Sequence, residues 1–69
     1  MDEQVRVNGR AELLSARTIA LLVAEKTEQI HPKGIAVALN GKVVPRRAWN
    51  DTALRDGDQV EIVRVLQGG

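Results

Sequence analysis

The residues best placed to do chemistry are the last three, Gln67-Gly68-Gly69, which follow directly on the apolar run 60–66. Two glycines add nothing to a core, and ordering them costs more backbone entropy than ordering any other pair. Taken alone the pair reads as a frayed end. It also reads as an arm: without Cβ atoms, the final residues can thread a narrow channel in another protein and bring a terminal carboxylate to a reactive group. On that reading Gly69 is the reacting residue, and Gly68 and Gln67 give it access.

The rest of the chain offers little to an enzyme. There is no cysteine, which removes a thiol nucleophile, thiolate metal sites and disulfides. His31, the only histidine, precedes Pro32 and has no partner at ligand or catalytic spacing; it suits a weak complement to a helix dipole. Asp56 and Asp58 flank Gly57, a pattern typical of a tight turn rather than of paired catalytic carboxylates. The serines and threonines lack a neighbouring base. The chain is therefore expected to be no enzyme, and to hold no metal or cofactor of its own.

Composition narrows the partners. Ten basic and nine acidic residues are interspersed and leave a net charge of +1, which is no footprint for nucleic acid. Trp49 is the sole aromatic, so bases have no stacking platform. The most apolar stretch, 19–24, is far too short to cross a bilayer. Met1-Asp2-Glu3-Gln4 has neither the basic nor the apolar part of a signal peptide. These features predict a small cytoplasmic domain, monomeric when free.

A chain of 69 residues makes one thin-cored domain. Gln4-Val5-Arg6-Val7 alternates with the period of a half-buried strand. Asn8-Gly9 favours a two-residue hairpin turn, with the return strand over 11–14. Thr18 suits an N-cap. Behind it Ile19, Leu22, Val23 and Lys26 line one helical face, and Pro32 stops the helix near Gln29 or Ile30. A strand over 35–39, the Asn40-Gly41 turn and a return over 42–44 form a second hairpin, ended by Pro45. Residues 46–54 read as a loop with one short helical turn, and 59–66 as the final strand. The pattern predicts an α+β domain over 1–66 with a tail at 67–69. Its mixed sheet has about five strands, with one main helix on one face and the last strand central, beside the first. That is the β-grasp, ubiquitin-like fold.

The second half of the chain carries a family resemblance. Ala38-Leu39-Asn40-Gly41-Lys42-Val43-Val44-Pro45-Arg46, then Trp49, Asp56-Gly57-Asp58-Gln59-Val60-Glu61-Ile62 and the diglycine together resemble the ThiS family of thiamine sulfur carriers. The first half agrees in length and in its strand-strand-helix order, and Gln67 stands where many members carry a small residue. Carriers for molybdopterin share the fold and the diglycine but look less like this Pro-Arg-x-x-Trp arrangement.

The resemblance implies a mechanism. A ThiF-like enzyme would use ATP and magnesium to adenylate Gly69. Sulfur from a cysteine desulfurase persulfide would convert it to a thiocarboxylate, and a ThiG-like thiazole synthase would take the sulfur. Other sulfur-transfer pathways (molybdopterin, cysteine, tRNA thiolation), attachment to lysines as a modifier, and a plain β-grasp interaction module remain alternatives.

Strand period also suggests a docking surface. Val60 and Ile62 would face the core, leaving Glu61, Val63 and Val65 on the other face beside Ala36 and Ala38. With Leu66 these make a small apolar patch, to which Arg46 could add a charge. A bulge after Ile62 would instead turn Val63 inward. Arg46 and Arg47 also read simply as solvated, and Trp49 as a lid over the edge of the core.

Overall fold

A computed structural model describes residues 2–27 and 34–64 of the chain. Among them β1 (Gln4–Val7) and β2 (Arg10–Leu13) are joined by the predicted Asn8-Gly9 turn. Asn8 has φ 52° and Gly9 φ 84°, the left-handed pair that a type I′ hairpin needs. The second hairpin, β3 (Ile35–Leu39) and β4 (Lys42–Val43), repeats the device, with φ 51° at Asn40 and 86° at Gly41. Helix α1 (Ile19–Thr27) is capped as expected: the Leu21 N–H donates to Thr18 Oγ1 at 3.2 Å. Its expected end at Gln29 or Ile30, like His31 and Pro32, lies outside the described residues.

The five strands form one mixed sheet in the order β2-β1-β5-β3-β4. Strand β5 (Gln59–Arg64) occupies the centre, parallel to β1 through Arg6–Gln59 and Val7–Val60, and antiparallel to β3 over five residue pairs. The last strand thus lies in the centre of the sheet beside the first, as the sequence predicted.

One face of the sheet is covered. Val5 and Val7 of β1, Val37 of β3 and Val60 of β5 pack under Ile19, Leu22 and Val23 of α1, with Ala16, Trp49 and Leu54 completing the core. Glu12 of β2 points the same way and meets Lys26 of α1 at 2.7 Å, which ties the helix to the sheet's edge.

The segment after β4 differs in extent from expectation. Arg46–Asp51 is a 3-10 helix of six residues rather than a loop with one turn. It packs against α1 and delivers the Trp49 ring to the core, where only 6% of the residue is exposed. Trp49 Nε1 donates to the Val44 carbonyl at 2.9 Å, so burying the indole leaves no donor unmade. The Asp56-Gly57-Asp58 turn is structural as predicted. Asp56 Oδ1 accepts from the Gln4 N–H at 2.7 Å, and Asp58 Oδ2 accepts from the Arg55 N–H at 2.8 Å.

Candidate functional site

The chemistry expected of this chain lies beyond β5, so the geometry that bears on it is how β5 is held and what surrounds it. The strand continues in register to its last described residues, pairing Val63 with Ala36 and Arg64 with Ile35. No bulge interrupts it after Ile62, and strict alternation therefore decides which side chains face outward. Val60 is 1% exposed and Val63 is 51% exposed. The alternative in which Val63 turns inward does not occur.

Cross-strand pairing assembles the outward face. Val63 lies opposite Ala36, Glu61 opposite Ala38, and Ala38 opposite Val43 across the second hairpin. Small apolar residues of β5 and β3 are thereby continuous with Val43 of β4, the most exposed large apolar side chain among the described residues at 77%. The sequence reading did not single out Val43. Val44 packs against the core, and adjacent strand residues face opposite ways, which leaves Val43 on the open face.

On the β1 side of the same face, Arg6, Gln59, Glu61 and Val63 border a shallow hollow of about 440 Å³. Its charged groups are one guanidinium and one carboxylate, and no Ser, Thr, Cys, His or Lys side chain lines it. The patch is thus apolar toward β3 and β4 and charged toward β1, an arrangement suited to contact rather than to catalysis.

Arg46 is not on this face. It opens the 3-10 helix, which lies on the α1 side, and its guanidinium stands over the Trp49 ring at 5.7 Å from the centroid. The packing role is the one this geometry supports. Val65, Leu66, Gln67, Gly68 and Gly69 lie outside the described residues. Among the described residues no group of three or more His, Cys, Asp or Glu side chains is placed to hold a metal ion. No helix among them is long and apolar enough to cross a membrane.

A five-stranded mixed sheet with one helix on one face, and a central last strand leading to a diglycine, defines a β-grasp domain of the ubiquitin-like kind. The comparisons narrow the class. The family model described as the ThiS family matches residues 2–69. The sulfur carrier protein ThiS of Thermus thermophilus is 37% identical over 65 residues, covering 94% of this chain and 98% of that protein. The protein of the same name from Escherichia coli is 39% identical over 49 residues, covering 68% and 74% respectively. The crystal structure of the thiamine biosynthesis protein ThiS from Geobacter metallireducens superposes with a TM-score of 0.71 at 28% identity, covering 96% of this chain and 99% of that one. The chain belongs to the ThiS family, a family of sulfur carriers and not of catalysts.

Proposed function

We propose that this chain carries sulfur as a thiocarboxylate on Gly69 and gives it up to a thiazole-forming synthase. The observation that carries the reading is the family match across residues 2–69, on a sheet whose central strand leads to Gln67-Gly68-Gly69.

A carboxylate is a poor electrophile, because its charge repels nucleophiles and oxide is a poor leaving group. A ThiF-like adenylyltransferase, using ATP and magnesium held on that enzyme, joins the Gly69 carboxylate to AMP and releases pyrophosphate. A persulfide sulfur supplied through a cysteine desulfurase then attacks the acyl carbon and AMP departs. Cleavage of the S–S bond by a thiol, which forms a disulfide with the donor, leaves the thiocarboxylate. A ThiG-like synthase transfers the sulfur to its substrate, and an oxygen from that substrate or from water replaces it on the acyl carbon, which restores the carboxylate. Gly68 and Gln67 form the arm that enters each active site. The outward face of Ala36, Ala38, Val43 and Val63 supplies the docking surface; Val65 and Leu66, outside the described residues, are its further candidates by sequence.

Intact-mass spectrometry tests this directly. After incubation with the adenylating enzyme, ATP and a sulfur donor, the chain gains about 16 Da as one oxygen is replaced by sulfur. An unchanged mass refutes the thiocarboxylate. With an isotopically labelled sulfur donor, transfer of the label to thiazole, rather than to another sulfur acceptor, identifies the pathway.

A further inference from the structure

Two asparagines at positive φ grip β5 from opposite sides, and only one of them stands at the end that leads to the tail. Asn8 follows the last residue of β1, and its backbone N–H donates to the Val60 carbonyl at 2.9 Å, so it still belongs to the parallel ladder. The chain then turns into Gly9 and β2, and β1 can offer Ile62 no further backbone. The Asn8 carboxamide takes over. Its Oδ1 accepts from the Ile62 N–H at 2.8 Å, and its Nδ2 donates to the Ile62 carbonyl at 3.1 Å. A primary carboxamide offers the donor and acceptor of a peptide group, so this side chain adds one rung to β1.

Asn40 does the corresponding work at the other end of β5. Its N–H donates to the Gln59 carbonyl at 2.7 Å and its Oδ1 accepts from the Gln59 N–H at 2.9 Å. Its Nδ2 donates to Asp58 Oδ1 at 3.1 Å.

We propose that Asn8 is a positioning residue for the carrier's tail, its carboxamide holding β5 in the sheet through Ile62 after β1 has turned away. The proposal rests on the reading of Gly69 as the residue that is acylated. Without the hook, the last stretch of β5 is held by β3 alone. The anchor of the arm then moves back along the strand, and the carboxylate searches a larger volume. Its effective concentration at a partner's active site falls accordingly.

The two hairpins provide their own control. Asn8→Gly keeps the turn, because glycine adopts positive φ freely, and removes only the hook. Asn40→Gly does the same at the far end of the strand. In ATP–pyrophosphate exchange with the adenylating enzyme, Asn8→Gly is expected to lower kcat about fivefold while KM for the carrier stays within about twofold. Asn40→Gly is expected to leave both within about twofold, and Asn8→Asp, which keeps the acceptor for the Ile62 N–H, to recover part of kcat. Equal losses in the two glycine variants, or a change in KM alone, overturn the proposal.

Hydrogen exchange on the free chain supplies a reading that needs no enzyme. The Ile62 amide should exchange about tenfold faster in Asn8→Gly and be unaffected in Asn40→Gly. Unaccelerated exchange at Ile62 overturns the hook outright. A wild-type chain that the adenylating enzyme does not modify refutes the Gly69 reading instead, and exchange at Ile62 then decides the hook by itself.

Discussion

The two faces of β5 are built from the same kind of residue and do opposite work. Val60 lies under α1 with 1% of its surface exposed, while Val63, three positions on, keeps 51% in solvent. Chemical type does not separate them; the strand's period of two and the single covering helix do. A sheet with one helix has one face to spend on stability, and in this chain the other face retains a strip of small apolar side chains running from β5 across β3 to β4. Fold stability should therefore answer to the covered face and recognition to the open one.

The most severe way to break that division is Val60→Asp. A carboxylate placed among Val5, Val37 and Leu22 has no partner there, and the loss of about 4 kcal/mol or more should abolish the cooperative thermal transition. A folded Val60→Asp protein would mean that the covered face is not the core. Ile19→Ala, at a residue with no exposed surface, should cost about 3 kcal/mol in urea unfolding without changing which partners bind.

Crossing to the open face reverses the pattern. Val63→Asp should cost under about 1 kcal/mol of stability, yet weaken binding to the adenylating enzyme about tenfold by calorimetry. Unchanged binding would remove Val63 from the dock. Val43→Ser is expected to have the smallest effect, about threefold on binding with stability held within about 0.5 kcal/mol. A larger effect there than at Val63 would move the centre of the contact onto β4.

Much of the fold was legible because its signals are local. Asn-Gly pairs at 8–9 and 40–41 announce hairpins through their tolerance of positive φ, and Thr18 announces a helix through one side-chain acceptor. The six-residue 3-10 helix was legible only as one short turn, since its extent is set by Trp49 reaching the core and the Val44 carbonyl rather than by propensity. The position of Arg46 over Trp49 was hidden for the same reason: it follows from that helix, not from its neighbours in sequence. The Asn8–Ile62 hook spans 54 positions and leaves no local trace. Of the patch, Ala36, Ala38 and Val63 could be read from strand alternation, whereas Val43 required knowing which residue of a two-residue edge strand faces out. Val65 was assigned by the same alternation, and Gln67, Gly68 and Gly69 by residue type together with the family pattern; all of them, with Leu66, lie outside the described residues.

The parallel pairing of β1 with β5 has a mechanical consequence. When a partner pulls on the arm along the strand axis, the load falls along the ladder rather than across it. The bonds from the Arg6 N–H to the Asp58 carbonyl and from the Asn8 N–H to the Val60 carbonyl then resist in shear together with the pairs of β3. They do not open one at a time, as a hairpin peeled from its free end would. On the proposed function, in which partner enzymes take the chain by its last residues, that load is carried along the ladder bonds of the central strand.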